Sequence, residues 1–423
     1  MLSEREQQFL QQLEKTIYTN PFSIDRSTLT ARFSCFPISQ GDEAAGQGRH
    51  HFSVIAAPLK RLLDELAERG VTRLQQLTGQ EQQWLKHGFL FRAYHHCTDE
   101  LDQHIEQQLA QPRQTIPVTF APRVLGELEQ CGFSKREALR YFGFFFQLRR
   151  AYYFIDRALV GQASSMQALR RGLWNLLFTE DARLYDRYLW DRMEDFSTLL
   201  LGETGTGKGA AAAAIGRSGF IPFDPESGCF KSCFTQAFIA TNLSQFPENL
   251  IESELSGHRK GAFTGAIDHH KGLFERCSKY GSLFLDEIGD VSVTVQIKLL
   301  KVLQERRFVA VGSHEERRFS GRVIAATNRP LEDLRKNGQF RDDFYYRVSS
   351  QVLSMPSLRQ RLGESPDELT LMVRLLLQRM LGGDADTLVE EVIAIIHRDL
   401  PLDYPWPGNV RELEQVIRRV LLS

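Results

Sequence analysis

The short apolar run Leu199-Leu200-Leu201 is followed at once by Gly202-Glu203-Thr204-Gly205-Thr206-Gly207-Lys208, and then by the alanine-rich stretch Ala210 to Ile215. An apolar run of that length reads as a buried strand, and alanine is the strongest helix former. Glycines between the two let backbone N–H groups approach an anion lying on the helix N-terminus. Strand, glycine loop, lysine and helix in this order make Gly202–Lys208 a P-loop, with Lys208 placed to reach the β- and γ-phosphates of a nucleotide. The next residue is Gly209, so the hydroxyl that usually binds magnesium at that position is missing.

Downstream, Gly281-Ser282-Leu283-Phe284-Leu285 ends in Asp286-Glu287. An acid pair at a strand end can be a mere turn. Behind a P-loop it reads as a site in which Asp286 holds magnesium, directly or through water, and Glu287 polarises an attacking water. Phe238 to Asn242 is another strand-like run; Asn242 taken alone is an ordinary surface amide. Val323 to Asn328 is a buried strand ending in Thr327 and Asn328, where a γ-phosphate would be sensed. Arg341 and Arg347 lie six apart in a charged helical stretch. Arg411, near the start of the last helix, is poorly placed for the helix dipole unless a phosphate is its ligand. Between the P-loop and the acid pair lies Gly261-Ala262-Phe263-Thr264-Gly265-Ala266, with two glycines, small residues, one aromatic and no catalytic group. It is expected to be a flexible loop with an apolar tip, of the kind an ATPase moves.

A length of 423 residues predicts two or three domains, and 42% hydrophobic residues suffice for ordinary cores. A formal net charge of -1 provides no global basic field for nucleic acid. Six cysteines, Cys35, Cys97, Cys131, Cys229, Cys233 and Cys277, follow no framework spacing and read as reduced thiols of a cytoplasmic protein. The polar N-terminus is no signal peptide, and no apolar run reaches membrane-spanning length, so no membrane is expected as a partner. Helical spacing is expected from Phe9 to Ile17, from Ile55 to Gly70 and from Glu81 to Gln111, with a loop over Gln40–Gly48. Ser134 and Glu137 form a capping box opening an aromatic-rich helix towards Asp156, and Ser365-Pro366-Asp367-Glu368 reads as a second.

These motifs, in this order and spacing, make the chain from about Leu159 to Leu422 resemble the AAA+ domain of bacterial enhancer-binding proteins, the activators of sigma-54 RNA polymerase. The resemblance implies an α/β AAA+ P-loop NTPase core with a small helical lid, preceded by a mostly helical N-terminal domain. It implies ATP and Mg2+ as cofactors and a homo-oligomeric ring, expected to be a hexamer. It makes Gly261–Ala266 the loop that engages the sigma factor of the holoenzyme. It assigns Asn242 to a switch with Glu287 that reports the γ-phosphate, Thr327 and Asn328 to sensor I, and Arg341 and Arg347 to the arginines that act across subunits. Arg411 falls on sensor II, and Val160 and Gly161 fall where the adenine packs. The chain departs from the family pattern at Gly209, which replaces a Glu, and at Ser256, which replaces an aromatic. It departs further at Thr179–Phe196, which looks like an insertion, and at Pro222–Cys233.

The expected division is a helical regulatory or sensory domain at 1–133, a linker helix at 134–158, an ATPase subdomain at 159–355 and a lid at 356–423. The helix-turn-helix usual in the family is not expected before Ser423, which leaves DNA binding through a module of the chain's own open. The resulting expectation is an ATP-hydrolysing activator that remodels sigma-54 holoenzyme. The alternatives are an AAA+ remodeller of another protein and a regulator that binds ATP without turnover.

Overall fold

The computed structural model describes residues 1–31, 33, 50–382, 386–401 and 403–422. The expected Gln40–Gly48 loop and Cys35 lie outside the described residues. The chain divides into two compact units, and the division differs from the one drawn on the sequence. The first unit is Met1–Arg150 with Phe178–Trp190 and Phe220–Thr235; the second is Ala151–Leu177, Asp191–Gly219 and Gln236–Ser423. The aromatic-rich helix runs unbroken over Lys135–Ala158, so its N-terminal part belongs to the first unit and its C-terminal part to the second.

In the first unit, Ser3 and Glu6 form a capping box for the helix Glu4–Tyr18, whose Phe9, Leu10 and Leu13 are buried. The helix expected over Glu81–Gln111 is two helices, Gly79–His96 and Thr98–Ala110. Cys97, fully buried, leaves the helical conformation at φ -119° and ψ 9°, and its thiol donates to the Tyr94 carbonyl at 3.3 Å. The Ser134–Glu137 box forms: Glu137 N–H donates to Ser134 Oγ at 3.3 Å and Ser134 N–H to the Glu137 carboxylate at 3.1 Å.

The two sequence departures, Thr179–Phe196 and Pro222–Cys233, overlap the two later segments of this first unit. Phe223–Asp224 and Cys229–Phe230 make a small antiparallel hairpin. Its Phe230 stacks on Phe146 with ring centroids 3.9 Å apart and on Phe142 at 5.7 Å. Tyr185, fully buried, stacks on Phe144 at 5.9 Å and hydrogen-bonds the Gln147 side chain at 2.7 Å. The aromatic helix is therefore covered by segments far from it in sequence, which is why its aromatics need not share one stripe.

The second unit is built on a five-stranded parallel sheet. Across it the strands run Phe238–Asn242, Ser282–Asp286, Arg322–Thr327, Thr198–Leu201 and Gln351–Ser354. The P-loop strand thus lies between the last strand and the sensor strand, and the acid strand lies on the sensor strand's far side. The carboxyl ends of the strands gather at one edge, where open α/β sheets bind ligands. Leu199, Leu283, Leu285, Val323 and Ala325 share one core with the helix Val293–Glu305. A separate core, including Val373, Leu376, Val392, Leu413 and Ile417, holds the C-terminal helices Glu368–Leu381, Asp386–Asp399 and Asn409–Leu422 together as a lid. Among the described residues no helix is long and apolar enough to cross a membrane.

Candidate nucleotide site and loop

Gly205 and Gly207 have φ of 80° and 97°, and Gly207 caps the helix Lys208–Gly216. Only glycine takes such angles without strain, so the loop can turn its N–H groups inward over the helix start. Lys208 is 7% exposed, and its ammonium donates to the Gly202 and Glu203 carbonyls at 2.9 and 3.2 Å. Burial holds its pKa below the usual lysine value, against the opposing pull of Glu287 and Asp286. Thr206 Oγ1 donates to the Glu203 carbonyl at 2.8 Å. A side chain at Gly209 would meet nothing within 4 Å, so crowding does not explain that glycine.

Asp286 ends the acid strand, and its Oδ1 accepts the Glu287 N–H at 3.0 Å. Glu287 adopts a left-handed conformation, φ 54° and ψ 46°, which is unusual for a residue with a side chain and is concentrated at functional sites. Its carboxylate accepts the Asn328 N–H at 3.3 Å. Burial raises the Glu287 pKa above the usual carboxylate value, and Asp286 adds to this, while the Asn328 N–H and Lys208 oppose it. Asn328 Nδ2 donates to Thr204 Oγ1 at 2.9 Å, and the Gly202 N–H donates to the buried Thr327 carbonyl at 3.3 Å. The P-loop, acid pair and sensor strand are thereby brought into one site.

The pairing of Asn242 with Glu287 is not made here. Asn242 is level with Asp286 across the strand pair, but its Oδ1 accepts the Ser244 N–H and hydroxyl at 2.9 and 2.7 Å, capping the turn that follows. Glu287 is held by Asn328 instead. Arg341 and Arg347 also differ from each other. Arg341 is exposed and forks onto Asp343 at 2.7 and 3.0 Å. Arg347 is half-buried and donates to the Leu303 carbonyl at 2.9 Å.

Val160 and Gly161 are gripped by residues that sequence reasoning misread or missed. Arg361 donates to the Val160 carbonyl at 2.8 Å, and Arg170 to the Gly161 carbonyl at 2.9 Å. Glu368 accepts the Gln162 and Ala163 N–H groups at 2.8 and 3.2 Å and pairs with Arg361 at 2.5 Å. The capping box expected at Ser365–Glu368 is therefore absent: Asp367 is the N-cap, without a side-chain bond, because Glu368 turns inward to Arg361. Arg411 is exposed, with its Cβ beside the P-loop at Gly205. Among the described residues its side chain makes no hydrogen bond or ion pair.

Gly261–Ala266 is a closed loop rather than a loose one. Gly261 N–H donates to the Ala266 carbonyl at 2.8 Å and Ala266 N–H to the Phe263 carbonyl at 3.0 Å. Its stem is pinned by reciprocal His258–His270 backbone bonds of 3.0 Å, and by Arg259 N–H donating to the Val311 carbonyl at 3.0 Å. Phe263 meets the His258 ring edge-on at 5.0 Å and is 38% exposed, whereas the neighbouring Ile267 is 75% exposed. The more exposed of these two apolar side chains therefore lies just outside the six-residue motif. Ser253 Oγ and His258 Nδ1 are 2.6 Å apart, tying the stem to the helix Glu248–Ser256 that follows Asn242.

Residues 186–354 match the family described as the Sigma-54 interaction domain. That segment is similar to sigma-54 interaction domains. The chain is 44% identical over 223 residues to a Nif-specific regulatory protein of Bradyrhizobium diazoefficiens, spanning 53% of this chain and 35% of that one. It is 37% identical over 264 residues to the DNA-binding transcriptional regulator NtrC of Rhizobium meliloti, spanning 62% and 47%. The regulatory protein AtoC of Escherichia coli is 39% identical over 226 residues, spanning 53% and 45%. The chain thus spans between a third and a half of the length of these relatives.

Proposed function

We propose that the protein is an ATP-hydrolysing transcription activator that remodels sigma-54 RNA polymerase holoenzyme through the Gly261–Ala266 loop. It works in the cytoplasm, as a ring of identical subunits, expected to be a hexamer. The observation that carries this reading is the position of the loop. From Asn242, level with Asp286, one turn and one helix lead to the His258 stem on which Phe263 rests. A change at the γ-phosphate site has a short, packed route to the loop.

In this reading the P-loop N–H groups and Lys208 take the triphosphate, with Thr327 and Asn328 at the γ-phosphate. Lys208 exchanges its two carbonyl acceptors for phosphate oxygens. Glu287 takes a proton from water as the water oxygen bonds to the γ-phosphorus and the bond to the β-phosphate oxygen breaks, leaving ADP and phosphate. Arg341, exposed on its helix, is the better placed of the two arginines to reach a neighbouring subunit, and Arg411 faces the phosphates from the lid. Val160 and Gly161 pack the adenine. Mg2+ fits the donors present: Asp286 keeps one carboxylate oxygen free of the Glu287 N–H, and a single carboxylate with phosphate oxygens and waters is a usual magnesium set. When bound, the ion neutralises phosphate charge.

The test is ATP-dependent open-complex formation on a sigma-54 promoter by the purified full chain. Robust ATPase activity with no such effect, and no binding of sigma-54 in a transition-state analogue of ATP, transfers the remodelling to another protein target. Gly209 favours a second reading, ATP binding without turnover; hydrolysis that Glu287→Ala abolishes rejects it.

A further inference from the structure

We infer that Asn409 is a positioning residue of the nucleotide site: its side-chain amide fixes the P-loop backbone at Glu203–Thr204 against the lid. The inference rests on the nucleotide-hydrolysis reading and deepens it.

Asn409 is fully buried and left-handed, with φ 51°, a conformation asparagine tolerates better than most residues. Its Oδ1 accepts the Leu358 N–H at 2.7 Å, and its Nδ2 donates to Glu203 Oε2 at 3.1 Å and to the Thr204 carbonyl at 3.0 Å. The amide orientation is fixed by its partners. Leu358 N–H can only donate, while a carboxylate and a carbonyl can only accept, so a flipped amide would lose every bond. One buried side chain thus joins the P-loop, the helix Leu358–Glu364 and the turn into the last helix.

Neighbouring contacts work in the same direction. Arg359 forks onto the Glu203 carboxylate, with Nη1 2.8 Å from Oε2. Val410 N–H donates to the Gly205 carbonyl at 3.2 Å. A side chain at Gly205 would stand 2.1 Å from the Gly408 carbonyl, so the turn and the loop are in close backbone approach. A trans peptide directs its C=O and N–H to opposite sides. Holding the Thr204 carbonyl on the lid side therefore sets the Gly205 N–H on the other. Asn409 need not touch the nucleotide to decide where a phosphate-binding donor faces.

The test measures ATP binding, kcat and KM on the full chain. Asn409→Asp keeps the acceptor for Leu358 N–H and replaces both donors with a carboxylate facing Glu203. It is expected to raise the Kd and KM for ATP at least about tenfold, with a smaller change in kcat. Adding Glu203→Gln removes the facing charge and is expected to recover part of that loss, a rescue that a merely structural role would not produce. Asn409→Gly keeps the left-handed backbone, removes all three bonds, and is expected to show the same KM-weighted defect if the Asp variant does not fold. Wild-type-like ATP binding by either folded variant, or a loss that Glu203→Gln does not relieve, overturns the inference. A wild-type chain that binds no ATP overturns the nucleotide reading itself.

Discussion

Arg361 and Glu368 form an ion pair whose side chains are 4% and 0% exposed, and each also holds backbone of the 160–163 segment. Removing one partner of such a pair leaves the other as an uncompensated buried charge. Glu368→Ala is expected to destabilise the chain by about 3–5 kcal/mol in urea unfolding. The same change frees the Gln162 and Ala163 N–H groups and should weaken ATP binding at protein concentrations where the variant is folded. A variant with unchanged unfolding midpoint would show that the pair is not closed in solution.

In the proposed reaction Glu287 is the group that accepts the proton of water. Glu287→Gln keeps the shape but cannot accept a proton, so turnover should fall by about 10²–10⁴-fold while ATP still binds. Its raised pKa moves the acidic limb of the wild-type pH–rate profile upward from where an ordinary carboxylate would place it. The stability effect has a definite sign. The folded state binds this proton more readily than the unfolded chain, so Glu287 contributes stability at low pH, and this is lost as pH rises through the folded value. Glu287→Gln should therefore raise the melting temperature at neutral pH, with the gain shrinking on acidification.

Gly209 lies in the first turn of the P-loop helix with open space around its missing side chain. Gly209→Ser should stabilise the helix by about 0.5 kcal/mol. It should also lower the Mg2+ concentration needed for half-maximal ATPase activity, because it restores a hydroxyl beside the phosphates. An unchanged Mg2+ dependence would show that the hydroxyl does not reach the metal and that Asp286 governs it alone.

On the loop, Phe263 is partly shielded by His258 while Ile267 projects. Phe263→Ala should leave ATP hydrolysis near wild type and remove open-complex formation. Ile267→Ser should weaken sigma-54 binding by about tenfold, the effect of losing one buried apolar contact at an interface. If only Phe263→Ala has an effect, the loop must rearrange before it binds.

The chemistry of the site was legible where it depends on short-range order. Gly202–Lys208, Asp286-Glu287 and Thr327-Asn328 sit at strand ends, and a strand end followed by glycine or acid can be read from a few residues. Residues acting over long range were not legible. Glu368 obeys a local capping rule on paper, but an arginine seven residues away and two N–H groups from segment 160–163 outcompete it. Nothing local to Asn409 reveals that its amide meets Thr204, which is far from it in the sequence. Asn242 was assigned to Glu287, yet a nearer donor, Ser244, takes its oxygen.

The same limit hid the first unit's boundary. Thr179–Phe196 and Pro222–Cys233 stood out only as departures from a pattern, whereas in the fold they meet the helix Lys135–Ala158 through Tyr185 and Phe230. His104 also packs on Phe146 and Phe230, at 5.5 and 5.7 Å, and the Val118 N–H donates to the Gly228 carbonyl at 2.8 Å. Deleting residues 1–130 would strip these partners from an aromatic cluster and leave an apolar face open to water. The truncated chain is expected to aggregate or to melt well below the full chain, so a fall in its ATPase rate would reflect lost packing, not lost regulation. Milder changes separate the two effects. Phe230→Leu keeps an apolar side chain against Phe146 and should lower the melting temperature modestly, at a cost of about 1–2 kcal/mol. If ATPase activity shifts at temperatures where that variant is fully folded, the first unit governs turnover; if activity follows only the folded fraction, the unit serves stability.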